Sequence, residues 1–324
     1  MIRLIGAGLA FIGRHGTAAL AASIFIGMAL PVLSAHLRPF LALAVFSLLT
    51  LAFLRVDQDA IKTRLKRPAL LIAALFWMML GAPLLTYLLI RLSGVSALGP
   101  DVVLALYIAT AAPPVMAAPA FIYLLGLDGT LSLALSVAAL IVTPLTAPFI
   151  GSLMLGSSLP LSVGGLATQL SILLAGAFVL AMLLRKLAGE ERLKRSANHI
   201  GGLNVLLLLF FAIAAMDGVA ASFADRPLYT LMITALTFGL AIVQIGLSLA
   251  LFAPATREDA YAIAHTCGTR NMGLMVAAFG GTLPEFTWLW FAVGQFPIYL
   301  LPMFLKPFVR VFCRQNAKTV TPEN

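Results

Sequence analysis

The sequence predicts an all-α protein that crosses a membrane many times, and its composition and patterning both lead to this fold class. Hydrophobic residues make up 61% of the 324 residues, charged residues only 10%, and the mean hydropathy is +1.04. A soluble domain typically has about 25% charged residues. The apolar residues also form many runs of about 20, the length that a helix needs to cross the hydrocarbon core of a bilayer.

Apolar runs separated by charged or Gly- and Pro-rich segments predict ten membrane-spanning helices in two halves of five. The first half, residues 1–156, has predicted spans at 16–35, 39–55, 68–91, 101–126 and 129–155. The second half, residues 157–324, has predicted spans at 163–186, 199–223, 228–252, 257–281 and 285–312. Because five is an odd number, the second half enters the membrane from the opposite side, so the sequence predicts an inverted repeat.

The basic residues predict which ends of these spans face the cytoplasm. With the N-terminus inside, most of the 21 lysines and arginines fall at the two termini, at Arg257 and in the loops 55–67 and 185–195. Only Arg38, Arg91 and Arg226 fall in the opposite loops. Cytoplasmic loops carry an excess of Lys and Arg, so we expect both termini in the cytoplasm and the chain in a bacterial inner (plasma) membrane. The net charge of +9 therefore reflects topology and does not indicate a nucleic-acid partner.

Spans four and nine are interrupted at corresponding positions of the two halves. Three prolines interrupt span four, since proline lacks the backbone N–H and clashes with the preceding turn. A polar, glycine-bearing segment, 266–273, interrupts span nine. Aligning Asp101 with Arg257 also places Pro113 on Thr269. The residues predicted to shape the two interruptions are Pro113, Pro114, Pro119, Gly268 and Gly273.

Two interruptions in register predict a functional crossing of spans four and nine. Irregular backbone at membrane depth persists only where protein or water satisfies the freed polar groups. A matched pair of interrupted segments is also the best sequence indicator of a transporter's binding site. Prolines and glycines often mark only a kink in a membrane helix, and either break alone fits that alternative.

Arg270 lies in the middle of span nine, where a charged side chain costs about 3 kcal/mol on insertion scales. The acidic residues of the neighbouring spans lie near predicted ends or loops, so freed backbone carbonyls, water or an anionic substrate must compensate the charge. A guanidinium binds a carboxylate through two parallel hydrogen bonds, which favours reversible binding of an organic acid. The alternative is that Arg270 only holds carbonyls left free by broken span four, and the two roles are compatible.

Polar residues around Arg270 are further candidate ligands for a substrate or ion: His265, Thr266, Thr269, Asn271 and, in span four, Thr110. His265 is either a packing residue or a proton relay. Asn271 either bridges broken backbone or contacts the substrate, and Cys267 is better explained as a small packing residue than as a thiolate ligand. Gln169, Asn204, Gln244 and Gln295 are candidates for hydrogen bonds between spans.

The sequence argues against an enzyme and against an ATP-driven machine. It contains no HExxH helix, no G-x-S-x-G motif and no G-x-x-x-x-G-K-[ST] loop. We therefore expect no metal ion and no cofactor, and the membrane-embedded enzyme is the less favoured alternative.

Taken together, the ten spans and the two crossing breaks resemble the bile acid:sodium symporter family. The resemblance is carried most closely by RNMGLMVAAF (270–279), by YLLGLDGTLSLALSV (123–137) and by TPLTAP (143–148). It implies a panel of spans 1, 2, 6 and 7 that rocks against a core of spans 3–5 and 8–10. It also implies alternating access, in which organic anions pass through a cavity beside the crossing.

The chain departs from this family at the positions that bind sodium. The family's Glu-x-x-x-Gln-Asn pattern falls on Thr266, Arg270 and Asn271, and its Ser-Asn pair falls on Ala118 and Pro119. Hard cations prefer oxygen ligands, and a fixed guanidinium repels them. We therefore expect a transporter of a small organic anion without the usual two-sodium coupling: a uniporter, an exchanger or a proton-coupled carrier. The alternative within transport is an efflux carrier of the arsenite or auxin type. The direction of transport and the oligomeric state stay open.

Overall fold

The computed structural model describes residues 16–65, 68–280 and 283–314, with side chains from residue 22 onward except at a few positions. These residues are almost entirely helical and contain no β-strand, only one isolated backbone bridge. The predicted all-α class is therefore confirmed. The basic residues Arg3, Arg14, Lys66, Arg67 and Lys318, used above to predict topology, lie outside the described residues.

The described part of the first half has nine α-helices. They are α1 Gly16–Ala29, α2 Pro31–Leu37, α3 Leu41–Leu54, α4 Gln58–Leu65, α5 Pro68–Phe76, α6 Ala82–Ser93, α7 Pro100–Ala111, α8 Ala118–Leu124 and α9 Thr130–Leu155. A π-helical turn, Trp77–Gly81, joins α5 to α6, and 3-10 turns lie at Arg38–Phe40, Val95–Leu98 and Gly156–Ser158.

The described part of the second half also has nine α-helices. They are α10 Val163–Ala188, α11 Glu190–Arg195, α12 Ala197–Ala215, α13 Val219–Asp225, α14 Pro227–Leu251, α15 Arg257–Gly268, α16 Met272–Ala278, α17 Glu285–Val293 and α18 Gln295–Arg314.

Within the described ranges, seven helical runs are long and apolar enough to cross a membrane. They are Pro31–Leu54, Pro68–Ser93, Thr130–Ser158, Val163–Ala188, Ala197–Asp225, Pro227–Leu251 and Glu285–Val309. The protein is thus an integral membrane protein. Predicted span one is divided, because Pro31 begins a new helix, and spans four and nine are each divided into two short helices. The ten-span inverted arrangement stays a prediction.

Polar contacts between the loops form two groups, one at each end of the helices. At one end, Arg64 forms a salt bridge with Asp128 and donates to Asp259 at 3.2 Å, while Arg185 donates to the carbonyl of Leu54 at 3.3 Å. All of these residues belong to segments predicted to be cytoplasmic, and we call this the basic end.

Asp128 keeps its charge at the basic end. Partial burial alone would raise its pKa, but hydrogen bonds from the backbone and hydroxyl of Thr130 and from Arg64 outweigh that effect. The pKa therefore lies below its usual value, and the ion pair with Arg64 persists at neutral pH.

The other end, which we call the opposite end, is joined by loops predicted to lie outside the cytoplasm. Arg38 pairs with Asp217 at 2.9 Å, and Arg226 pairs with Glu285. The contacts at the two ends agree with the predicted grouping of the loops.

Candidate functional site

The first break separates α7 from α8. The helix ends at Ala111 because Ala112 is extended (φ −61°, ψ 147°) and precedes Pro113 and Pro114, and a residue before proline disfavours the helical conformation. The chain becomes helical again at Ala118, with Pro119 in the first turn of α8. A first-turn proline loses no helical hydrogen bond. Pro119 therefore begins the second helix and does not interrupt one.

The second break separates α15 from α16. Helix α15 ends at Gly268, and Thr269 is extended (φ −112°, ψ 90°). Helix α16 begins at Met272, where the side chain of Asn271 accepts a hydrogen bond from the N–H of Leu274 at 3.2 Å. Such an N-cap satisfies one of the free donors at the start of a helix, so Asn271 bridges broken backbone.

The two breaks meet in the interior. Pro114 and Arg270 form an antiparallel bridge. In it, the N–H of Val115 donates to the carbonyl of Thr269 at 2.9 Å, and the N–H of Asn271 donates to the carbonyl of Pro113 at 2.7 Å. Each break thus satisfies backbone groups that the other leaves unpaired, as irregular backbone at membrane depth requires.

The side chain of Arg270 holds this crossing together. It is only 2% exposed. Its Nε donates to Gln244 Oε1 at 3.1 Å, and its Nη1 donates to the carbonyls of Met78 at 3.0 Å and Ala112 at 3.1 Å. Its Nη2 lies 3.2 Å from the Sγ of Cys267. Four segments of the chain are therefore joined by one guanidinium.

The partners of Arg270 in this conformation bear on one of its two predicted roles, the holding of freed carbonyls. None of these partners among the described residues is a carboxylate, and two are backbone carbonyls, one of them at the end of broken helix α7. Arg270 contributes to the wall of the cavity described below, but four of its five N–H donors are engaged within the protein. The geometry therefore matches the role of holding freed carbonyls. The sequence does not predict Met78 as a partner, because Arg270 contacts its backbone carbonyl, a group that every residue has.

The three candidate threonines also use their hydroxyl donors inside the protein. Each donates to the carbonyl four residues earlier, at 2.6 to 2.8 Å; they are Thr110, Thr266 and Thr269. Thr266 lies in addition within hydrogen-bond distance, 2.7 Å, of the hydroxyl of Ser132 on α9. Thr266 therefore links α15 to α9.

His265 is fully buried in an aromatic environment. Its ring stacks on Tyr261 with 5.8 Å between centroids and meets Phe121 edge-on at 6.1 Å. Neither ring nitrogen has a hydrogen-bond partner among the residues that the structure describes. In this conformation His265 packs as an aromatic residue.

Two of the predicted crossover glycines are required by close packing. A Cβ at Gly268 would lie 2.4 Å from Cγ1 of Ile245, and a Cβ at Gly273 would lie 2.8 Å from the ring of Phe211. Cys267 is buried in an apolar cluster that includes Met78. These small residues let α14 and α12 approach the crossing.

A cavity of about 1180 Å³ lies beside the crossing. Its walls come from α3, α8, α12, α18 and the segment 270–272, and at the basic end it includes Arg55, Asp57 and Asn198. Polar groups inside it come from Tyr123, Asn204, Asn271, Gln295 and Tyr299. The rest of its wall is largely apolar, with Leu49, Phe121, Leu208, Phe211 and Ile298 among the larger side chains. The volume is slightly above the roughly 300–1,000 Å³ of a typical ligand pocket, and a mostly apolar wall with a few polar groups is typical of a small-molecule site.

Of the glutamines and asparagines expected to join spans, Gln244 does so through Arg270. Gln169 is exposed on α10, and Gln295 donates to the carbonyl of Phe291 on a neighbouring helix segment. Asn204 and Gln295 instead line the cavity. The sequence thus singles out Asn204 and Gln295 as polar residues within spans, but it does not predict that they line a cavity.

No family model and no curated protein matches this chain. The fold and site define it as an integral membrane protein in which two broken helices meet beside an internal cavity. Within the described ranges, no group of three or more His, Cys, Asp and Glu side chains is placed to hold a metal ion.

Proposed function

We propose that this protein is a secondary transporter that carries a small organic anion by alternating access, with ten spans in two inverted halves. The proposal depends above all on the position of the cavity, whose wall includes both Arg55 at the basic end and Asn271 at the crossing. A site at the point where two broken helices meet is the arrangement that many transporters use. The resemblance to the bile acid:sodium symporter family supports the same conclusion.

The division into panel and core supports this mechanism. One wall of the cavity comes from α3 and α12, which belong to the implied panel. The facing wall comes from α8, α18 and the segment 270–272, which belong to the implied core. A rocking motion of one group against the other would open and close the cavity between them.

The charge of the cavity favours an anion. Arg55 and Arg270 contribute to its wall, against one carboxylate, Asp57. None of the partners of Arg270 among the described residues is a carboxylate that would cancel its positive charge. An amphipathic organic anion matches this combination of positive charge and apolar wall.

The same guanidinium argues against two-sodium coupling. A hard cation prefers oxygen ligands such as backbone carbonyls and amide oxygens. Here the carbonyl oxygens of Met78 and Ala112 and the amide oxygen of Gln244 accept hydrogen bonds from Arg270 instead. We propose that Arg270 supplies a fixed positive charge in place of a bound cation. The carrier is then a uniporter, an exchanger or a proton-coupled carrier.

Uptake into proteoliposomes tests this function. Purified protein is reconstituted and assayed with labelled carboxylates and sulfonates of increasing apolar size, in sodium and in potassium buffers. Gly201 lines the cavity, and a side chain there would meet open space. Gly201→Trp should therefore block uptake by filling the cavity.

Gly239→Trp is the matched control, because Gly239 is also a helical glycine with open space around it but lies on the exposed face of α14. We expect uptake of at least one anion, equal in both buffers, that is lost in Gly201→Trp and kept in Gly239→Trp. Failure of every anion to enter would contradict transport, and strong sodium-dependent accumulation would contradict the proposed coupling.

A further inference from the structure

At the opposite end, a tryptophan of the core contacts the backbone of the panel. Trp288 lies in the first turns of α17 and is 6% exposed. Its indole Nε1–H donates to the carbonyl oxygen of Asp217, just after α12, at 2.9 Å. A buried indole N–H normally requires such a partner. This hydrogen bond joins the two groups of helices that form the walls of the cavity.

Arg38 strengthens the same contact from the panel side. It lies in the turn Arg38–Phe40, donates to the carboxylate of Asp217 at 2.9 Å, and places its guanidinium carbon 3.8 Å from the centre of a Trp288 ring. A guanidinium over an indole face is an attractive cation–π arrangement. The ion pair lies within the panel, so its effect is to hold Arg38 above a core residue.

Packed aromatic rings connect this cluster to the cavity. Trp288 contacts Phe291 with 5.3 Å between ring centroids, and Phe291 contacts Phe211 of α12 at 6.2 Å. Phe211 in turn lines the cavity. Two core rings, Trp288 and Phe291, therefore continue into one panel ring, Phe211, with no polar layer among these three side chains.

We propose that Arg38, Asp217 and Trp288 form the gate that keeps the cavity closed at the opposite end while it reaches the basic end. The gate rests on the proposed function, since it assumes that panel and core separate during transport. Opening the opposite end requires the indole to leave the carbonyl of Asp217 and Arg38 to leave the indole. The cost of breaking both contacts biases the resting protein toward the conformation described here.

The gate is tested by measuring distances between nitroxide labels, which needs no substrate. One label pair reports the opposite end, at Ala224→Cys on panel helix α13 and Ser96→Cys in the core turn Val95–Leu98. A second pair reports the basic end, at Glu191→Cys on α11 and Ala253→Cys after α14. All four positions are exposed. Cys313→Ser removes the accessible native thiol, and Cys267 is retained because it is buried.

Two substitutions weaken the gate by different routes. Trp288→Phe removes the N–H donor but keeps an aromatic ring, and Asp217→Asn releases Arg38 but keeps the carbonyl acceptor. Trp290→Phe, two residues along the same helix, and Asp259→Asn, an ion-paired carboxylate at the basic end, are matched controls. The side chains of Asp217 and Asp259 are similarly exposed, at 19% and 16%.

We expect each gate substitution to increase the population with a long distance at the opposite end about fivefold, the effect of losing one hydrogen bond. A shorter distance at the basic end should accompany it, and the controls should match the parent. Unchanged distributions in both gate variants, or equal changes in the controls, would overturn the gate. If the distances shift as expected but no anion is transported, the gate stands and the proposed function fails.

Discussion

The two breaks that meet in the interior are built from opposite kinds of residue. The first, 112–117, is rich in proline and apolar residues, so it has more carbonyl acceptors than N–H donors. The second, 269–271, contains Arg270 and Asn271, whose side chains contribute a guanidinium and an N-cap. Neither break satisfies its backbone groups alone. Each donates one backbone N–H to a carbonyl of the other, and the second break adds the guanidinium that donates to the carbonyl of Ala112. Together they make an interior that tolerates irregular backbone.

The largest loss of stability should come from removing the hydrogen-bond donors of Arg270. Arg270→Met keeps an unbranched apolar stem but removes the guanidinium, which leaves the carbonyls of Met78 and Ala112 and the amide of Gln244 without their donor. We expect it to lower the free energy of unfolding by about 3 kcal/mol or more, since hydrogen bonds to charged groups are strong and buried unpaired groups are costly. Unfolding in detergent with increasing SDS measures this change.

Two further substitutions show whether the loss of stability comes from the hydrogen-bond donors of Arg270. Arg270→Lys keeps the charge but loses the planar, five-donor geometry, so its stability should lie between the wild type and Arg270→Met. Arg91→Met, at an exposed arginine of the opposite end, should have little effect. Equal stability of Arg270→Met and the wild type would mean that the first break does not depend on this guanidinium.

A smaller loss of stability should follow from forcing α15, which ends at the second break, away from its neighbour α14. Gly268→Ala adds a methyl group where Cγ1 of Ile245 lies 2.4 Å away, and overpacking of this kind typically costs about 1–3 kcal/mol. Gly246→Ala, on the exposed face of α14 with open space around it, should be neutral or slightly stabilising. The same SDS titration compares the two, and a neutral Gly268→Ala would contradict the close approach.

The smallest change in stability should come from substituting a proline of the first break. Pro114→Ala adds an N–H to the first break but leaves the acceptors of Pro113 and Ala112 in place, so Arg270 still has its partners. We expect a change of about 1 kcal/mol or less in the free energy of unfolding, the usual size for substitutions that act on backbone freedom. A loss as large as that of Arg270→Met would show that the prolines, and not the donors, hold the crossing.

The sequence predicted the positions of both breaks because their causes are local. Prolines end α7 within two residues of the predicted interruption, and the polar segment of span nine contains the observed break at 269–271. The grouping of the loops was also predictable, since basic residues are counted loop by loop. Pro119 was misassigned because a first-turn proline and an interrupting proline look alike in sequence.

The partners of Arg270 could not be predicted in the same way. Met78 lies 192 positions earlier in the chain, and its carbonyl is one of many identical backbone groups. The cavity likewise depends on side chains from five separate segments. Contacts of this kind depend on how helices pack, which hydropathy and motif spacing do not encode.

A disulfide between the two breaks tests their meeting most directly. Val115→Cys and Thr269→Cys are placed at two residues that the crossing joins directly, since the N–H of Val115 donates to the carbonyl of Thr269, and they are combined with Cys267→Ser and Cys313→Ser to remove the native thiols. Mild oxidation in native membranes should form the disulfide, while the control pair Val115→Cys and Thr266→Cys should stay reduced, because Thr266 faces Ser132 on α9. If the bridge pair stays reduced or the control pair cross-links equally well, the two breaks do not meet as described.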